Sequence, residues 1–430
     1  MAGQASVGIV LLGLGVVGSG VARALTERRD TYSNRIGVPL ELRKVLVRDP
    51  RKERDVRLPS DLVTSDPEEA LSTSCDIVVE VMGGENPARA YIQRAVEDGR
   101  YVVTANKEVM AKYGPELLSA ATAAGVDILY EASVGGGIPI ISPLKRDLSG
   151  NEITSIRAII NGTTNYILTQ MSHEEISFDV ALKDAQKLGY AEADPTNDID
   201  AHDAAYKLAI VAGLAFHTTI DPQEIYREGI RRLSRRDFRY AAELGYSIKL
   251  LAIARRVGES IEARVQPTLI PTHELLTRVE GALNAVQVDG DLTGRVLFQG
   301  AGAGSLPTTS AIMADVLDAA RSISSDSKPF PWRYTSGMTV IATSDLVSRY
   351  YVRLEVADQP GVLAVIARSF GDHGVSIASV IQKETDDASQ SAELVIMTHA
   401  AKESAMQASL QEISAFSEVP QIGNVLRVED

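Results

Sequence analysis

Residues 7–25 read VGIVLLGLGVVGSGVARAL, and this stretch decides the fold. Val7 to Leu12 is an unbroken apolar run of the kind that forms a strand buried on both faces. Gly13-Leu14-Gly15-Val16-Val17-Gly18 follows at once, and Val17, Val21, Ala24 and Leu25 then recur at helical spacing. Strand, GxGxxG turn and helix in that order make a dinucleotide-binding unit. The first glycine permits the tight turn, the second lets backbone approach a pyrophosphate, and the third lets helix pack on strand. The free N–H groups at the helix start then face the phosphates. Gly13, Gly15, Val16, Val17 and Gly18 are the predicted cofactor contacts.

Further apolar runs follow at Leu42 to Val47, Asp76 to Val81, Tyr101 to Thr104 and Asp127 to Tyr130, most of them succeeded by helical patterns. Five strands alternating with helices predict an α/β domain with a parallel sheet over residues 1–140. At the end of the second strand stands Arg48, followed by Asp49. Arginine suits a 2′-phosphate, and Arg51, Lys52 and Arg54 add positive potential, so NADP is favoured; Asp49 keeps NAD open. The fourth strand runs into Thr104-Ala105-Asn106-Lys107 at the carboxyl end of the sheet, which directs Lys107 toward the nicotinamide end. Glu131 to Ile138, EASVGGGI, implies close backbone approach or unusual torsions at its glycines, the alternative being an interdomain hinge.

From about residue 150 the pattern changes to a strand at Ile153 to Ile160, helices across 164–217, and strands at Ile248 to Ala254, Ile261 to Thr268, Ala285 to Val288 and Val296 to Phe298. Grouped strands and helices predict an α+β domain, with a sheet available for pairing with a second subunit. Residues 322–349 include a serine- and proline-rich segment that fits a linker or an edge-running connection. Beyond it Val352, Leu354 and Val356 alternate, Asp358-Gln359-Pro360-Gly361 makes a turn, and a helix over Val362 to Phe370 follows. Strands at Val375 to Ile381 and Glu393 to Thr398, a helix over 402–415 and a strand near Val425 complete a ferredoxin-like βαββαβ order.

The chain has 430 residues, enough for two or three domains, and a formal net charge of −14, which argues against a general affinity for nucleic acid. The basic runs Arg231 to Arg236 and Arg51 to Arg54 read as solvated faces. No run approaches a membrane span, and the amino terminus has no basic leader, so a cytoplasmic protein is expected. A single cysteine, Cys75, rules out an intrachain disulfide and a thiolate zinc cluster, and reads as a core residue.

Gly189 to Lys207, GYAEADPTNDIDAHDAAYK, places acids at 192, 194, 198, 200 and 203 ahead of one lysine. Its tail has helical composition, so Asp203 and Lys207 fall one turn apart on one face, where a carboxylate can hold a lysine and tune its proton affinity. Some of these acids need do no more than meet a helix N-terminus.

TANK at 104–107, EASVGGGIP at 131–139, NGTTNYIL at 161–168, the 189–207 stretch and GAGAGSLPTTSA from Gly300 together resemble the homoserine dehydrogenase family. The resemblance covers essentially the whole chain and includes a carboxyl-terminal module similar to the ACT regulatory fold. It implies a Rossmann-type domain at 1–140 to which the chain returns near 300–340, a catalytic and dimerisation domain at 141–300, and an ACT domain at 350–430. The implied reaction is the NAD(P)-dependent interconversion of L-homoserine and L-aspartate 4-semialdehyde. Hydride chemistry belongs to the cofactor, so the protein orients the substrate and manages one proton. The resemblance implies Lys207 as acid and base, with Glu192, Asp203 and Asp198 toward the substrate, Thr163 toward the substrate or the cofactor, and Gly189 and Gly302 toward the cofactor. It also implies sodium or another alkali cation at Glu131 and the carbonyls of Val134, Gly136 and Ile138. Threonine is the implied effector, at Asp358 and Gly361, Val362 and Leu363, in a homodimer or homotetramer. With no kinase-sized segment before residue 1, a fused aspartokinase activity is not expected. One departure is Ala201, where the family usually has glycine; read as a helical position, alanine is acceptable there. The rival reading is a non-catalytic, NADP-responsive regulatory binding protein.

Overall fold

The structure is a computed structural model that describes residues 6–325, 327, 332–386 and 391–429. From the amino end run β1 (Val7–Leu12), α1 (Val16–Glu27), α2 (Arg29–Ile36), β2 (Leu40–Leu46), β3 (Val63–Thr64), α3 (Pro67–Ser72) and β4 (Ile77–Glu80). Then come α4 (Ala88–Glu97), β5 (Tyr101–Thr104), α5 (Lys107–Ala124), β6 (Ile128–Leu129), β7 (Ile153–Ile159), α6 (Gly162–His173), α7 (Phe178–Lys187) and α8 (Thr196–Ile199). The middle of the chain holds α9 (His202–Ala215), β8 (Tyr226–Arg227), α10 (Arg235–Glu243), β9 (Tyr246–Val257), β10 (Ser260–Pro271), β11 (Leu283–Gly290), β12 (Gly294–Ala301) and α11 (Ser305–Ser324). The last elements are β13 (Thr339–Val340), β14 (Val347–Ala357), α12 (Val362–Asp372), β15 (Ile377–Asp386), β16 (Ser391–Thr398), β17 (Ala401–Lys402), α13 (Glu403–Ile413) and β18 (Gln421–Val428).

Contacts divide the chain into two compact units. The first takes everything up to Ile156, together with Tyr206–Gln223 and Asn284–Met338. Its six-stranded sheet has the order β3-β2-β1-β4-β5-β6, parallel throughout. Ile9, Val10, Leu11 and Leu12 of β1 are all 0% exposed, as the apolar run demands of a central strand. Strand order reverses between β1 and β4, and a doubly wound sheet opens a crevice at the carboxyl ends of its strands there. The sixth strand, β3, is absent from the five expected, because two residues carry no readable periodicity. Helix α11 packs on α1, and a Cβ at Gly20 would lie 2.2 Å from Thr309 Oγ1.

The second unit comprises Arg157–Ala205, Glu224–Leu283 and Thr339–Asp430. Its long hairpin β9–β10 continues through a parallel pair, Thr268↔Arg427 and Leu269↔Val428, into β18, β14, β16 and β15. The carboxyl-terminal strands alternate with α12 and α13 in the expected βαββαβ order, with the short β17 added. They nevertheless share one sheet with β10. Tyr350, Val352, Leu354, Ile366, Phe370, Ile396, Met406 and Ile413 form the core of this module, each apolar side chain contributing about 1.5–3 kcal/mol on burial. The 322–349 connection includes an edge-running piece, since β13 pairs with β10; residues 326 and 328–331 of it lie outside the described residues.

Arginines of the same sheet are buried against carboxylates. Arg264 meets Glu262 and Glu429, Arg353 meets Asp237 and Glu393, and Arg427 meets Glu403 and Glu228. Such pairs add little net stability, yet losing one partner leaves a buried charge and costs about 3–5 kcal/mol. The run Arg231 to Arg236 is thus not simply a solvated face: Arg231 pairs with Asp200 and Arg236 with Glu393.

Candidate functional site

In the first unit, a cleft of about 370 Å³ opens at the strand-order reversal. Gly13, Gly15, Arg48, Asp49, Lys52 and Met82 are among its lining residues. The three glycines of the turn differ in what they answer to. Gly13 has φ +106° and a Cβ there would lie 2.9 Å from the Val81 carbonyl; at Gly18 a Cβ would lie 2.1 Å from the Gly13 carbonyl. Those two are required by the protein's own packing. At Gly15 nothing lies within 4 Å, so its bare backbone serves only what approaches from the cleft. Gly15 caps α1 without a side-chain bond, so the first amides of that helix remain for an anion.

Arg48 is exposed at the cleft, and among the described residues its guanidinium has no hydrogen-bond or ion-pair partner. Lys52 lines the same wall. Arg54 departs from the expected solvated face: it donates to the carbonyls of Leu14 (3.1 Å), Lys52 (2.7 Å) and Asp49 (2.8 Å). It clamps the loop after β2 to the glycine turn. Asp49 spends one oxygen on the Arg51 amide. Cys75 is half-buried, and burial pushes its thiol up, away from the thiolate.

Lys107 is the first residue of α5, which Asn106 caps by accepting from Val109 N at 3.1 Å. Glu131 is 5% exposed and accepts from three successive amides, Ile140 and Ile141 on Oε1 (2.6 and 2.8 Å) and Ser142 on Oε2 (2.7 Å). Its own amide donates to Asp315 (2.8 Å), whose carboxyl burial holds well above the usual range. Val134 and Ile138 are buried beside it in sequence. Gly136 has φ +56° and a Cβ there would lie 2.4 Å from the Gly302 carbonyl, so the glycine run marks close backbone approach.

In the second unit, Asn161 starts α6. Its Oδ1 accepts from Thr164 N at 2.9 Å, while its Nδ2 donates to Asp198 (2.7 Å) and Asp203 (2.9 Å). Asp203 is 3% exposed. The other acids of the stretch take different tasks. Asp194 accepts from Thr196 N at the start of α8, and that bonding lowers its pKa; Asp200 makes a two-pronged pair with Arg231 at 2.7 and 3.1 Å. Glu192 is exposed. Thr163 donates to the Tyr190 carbonyl at 2.5 Å, and Gly189, at φ +77°, turns the chain after α7.

Helix α9 carries both Asp203 and Lys207, one turn apart as expected, and Lys207 is 9% exposed. Ala201 is not a helical position. It has φ +65° between α8 and α9, a left-handed turn that favours glycine. The reading of Ala201 as a helical position is therefore corrected: it stands in a turn. Asn161 and Asn106 were not among the expected site residues; an asparagine between a strand and a helical pattern is the signal that finds both.

In the carboxyl-terminal module, Asp358 accepts from Gln382 Nε2 at 3.2 Å and Gly361, at φ +98°, enters α12. Val362 turns into the module core, whereas Leu363 is 44% exposed. Among the described residues no three His, Cys, Asp or Glu side chains gather as a metal site, and no helix is long and apolar enough to cross a membrane.

Three family descriptions match the chain: homoserine dehydrogenase over residues 139–317, the homoserine dehydrogenase NAD-binding domain over 13–131, and the ACT domain over 350–418. A homoserine dehydrogenase of Neisseria gonorrhoeae is 41% identical over 430 residues, covering 98% of either chain. The crystal structure of a homoserine dehydrogenase from Thiobacillus denitrificans superposes with a TM-score of 0.94 at 41% identity over the full length of both chains. A hyperthermophilic archaeal homoserine dehydrogenase in complex with NADPH aligns with a TM-score of 0.62 at 28% identity, over 73% of this chain and 98% of its own. The chain belongs to the homoserine dehydrogenase family and is an NAD(P)-dependent oxidoreductase with a carboxyl-terminal ACT domain.

Proposed function

We propose that this enzyme interconverts L-homoserine and L-aspartate 4-semialdehyde with NADP as its preferred cofactor and Lys207 as the group that moves the proton. The observation that carries the cofactor reading is the pairing of an open Gly15 with an uncommitted Arg48 on one cleft. When bound, the nicotinamide supplies the hydride chemistry. Gly13, Gly15, Val16, Val17 and Gly18 meet the pyrophosphate, and Arg48 with Lys52 takes the 2′-phosphate, as a guanidinium does well. Lys107, Gly189 and Gly302 are assigned to the rest of the cofactor.

In the reducing direction the Lys207 ammonium gives its proton to the aldehyde oxygen as the alkoxide develops; in the oxidising direction the neutral amine takes it from the alcohol. Asp203 orients that lysine and, with Glu192, Asp198 and Thr163, holds the substrate. An alkali cation such as sodium is assigned to Glu131 and the carbonyls of Val134, Gly136 and Ile138. Glu131 already accepts three N–H bonds, which leaves about one of its four lone-pair positions for the ion, so carbonyls must supply most of the shell.

Threonine is the proposed effector at Asp358, Gly361, Val362 and Leu363, in a cytoplasmic homodimer or homotetramer with domains at 1–140, 141–300 and 350–430. Truncation at residue 350 would strip β18 from β10 and leave Arg264 without Glu429, so Asp358→Ala is the cleaner probe of regulation. The test of the activity is homoserine oxidation followed by nicotinamide absorbance, with NADP and NAD side by side. The expected result is turnover with a lower KM for NADP, and Arg48→Ala raising only the NADP value by about tenfold, the weight of one charge-assisted contact. The non-catalytic reading forecasts cofactor binding with no turnover.

A further inference from the structure

Glu80 closes β4 and is 0% exposed, yet the next residues, Val81, Met82 and Gly83, line the nucleotide cleft. Its Oε1 accepts from Met82 N at 2.8 Å and its Oε2 from Thr104 Oγ1 at 2.6 Å. Thr104 Oγ1 in turn accepts from Asn106 N at 3.0 Å, and Asn106 Nδ2 donates to the Gly84 carbonyl at 2.7 Å. The bonds close a circuit, from Glu80 through the 82–84 loop to Asn106, then through Thr104 back to Glu80. One side of the circuit is cleft wall, and the other is the turn that starts α5 at Lys107.

A buried carboxyl is a costly filler for a strand end where an apolar side chain would do. Burial pushes its pKa up despite these hydrogen bonds, which records the same cost. The geometry points to Glu80 as a positioning residue for the cofactor: it fixes the separation between the Met82–Gly84 wall and the Asn106–Lys107 turn, so that the cleft is preformed. This rests on the reading of the cleft as the cofactor site. Glu80 touches neither cofactor nor substrate, and acts through Met82 and Thr104.

The test compares Glu80→Ala, Glu80→Gln, Thr104→Val and Arg48→Ala in the full chain, measuring KM for NADP, KM for homoserine, kcat and Tm. Glu80→Ala is expected to raise KM for NADP by about tenfold, the effect of an unsatisfied buried group, and to move KM for homoserine by less than about twofold. Glu80→Gln still accepts from Met82 and donates to Thr104, so it should return KM for NADP to within about threefold of the parent. If Glu80→Ala does not fold, Thr104→Val removes one arm of the circuit and should raise KM for NADP by about threefold. An unchanged cofactor KM in a folded Glu80→Ala or, failing that, in Thr104→Val overturns the inference, as does an equal rise in both KM values or a glutamine variant no better than alanine. Should the cleft itself be misread, Arg48→Ala would also leave KM for NADP unchanged; if only the role of Glu80 is wrong, Arg48→Ala keeps its effect.

Discussion

Asn106 in the first unit and Asn161 in the second each begin a helix and each is steered by acid, but the acid reaches them differently. Asn106 gives its amide to a backbone carbonyl, and Glu80 acts one step behind, through a threonine hydroxyl, with no exposed surface. Asn161 gives its amide directly to two carboxylates of the acid-rich stretch. The difference teaches what each acid is for. A carboxyl sealed beneath a wall can act only on shape, whereas Asp198 and Asp203 belong to the stretch proposed above to hold the substrate.

The sharpest way to break the comparison lies on α9, beyond the second set of acids. Lys207→Met is expected to lower kcat by about 10²–10⁴, the usual weight of a positioned proton-transfer group, and to leave NADPH affinity nearly intact. Rapid-mixing turnover beside a fluorescence titration of NADPH checks both; retained kcat would move the role to another residue, with Lys107 first in line.

Next, Asn161→Ala leaves Asp198 and Asp203 without a shared donor and should cut kcat/KM for homoserine by about 10–100-fold. Asn106→Ala should act chiefly on KM for NADP. Steady-state kinetics of the two variants side by side decide the matter, and identical profiles would erase the contrast drawn between the two helix starts.

Asp315 extends the comparison to stability. Like Glu80 it is buried with a raised pKa, chiefly through desolvation, above its ordinary 3.8. Such a group stabilises fully below the unfolded pKa and loses that contribution as pH rises toward the folded one. Asp315→Asn keeps an acceptor for the Glu131 amide and does not titrate. Its Tm should therefore gain on the parent's progressively above about pH 4. A pH series of thermal melts with a constant difference would show that Asp315 does not titrate as described.

The smallest effect is expected at Ala201. Glycine there relieves left-handed strain of about 1–2 kcal/mol but loses a buried methyl worth about 0.8 and some chain entropy. Ala201→Gly should thus shift Tm by less than about 2 °C, whereas the β-branched Ala201→Val should lower it several-fold more. Calorimetry of the two variants measures the turn's demand directly.

Much of this was legible in the chain. The parallel sheet followed from apolar runs after which helices recur, and the crevice from a glycine turn after the first strand, because both are written in local spacing. The βαββαβ order of the last module was readable for the same reason. What escaped was non-local or very short: β3, the pairing of β18 with β10, and the left-handed turn at Ala201 inside what looked like helix. Arg54 read as one more surface charge, and only the fold brings it to the Leu14 carbonyl.

By itself, then, the amino-acid sequence determined the order of the longer elements, the glycine turn, the presence of an acid-rich stretch before Lys207 and the family to which they belong. These depend on neighbours within about one helical turn or one strand. Only the tertiary structure divided the acids among their tasks, giving Asp194 to a helix start, Asp200 to Arg231, and Asp198 with Asp203 to Asn161. It alone set Glu80 beneath the cleft. A carboxylate's role is decided by which donors reach it and how much water is left, and both are properties of the packed chain.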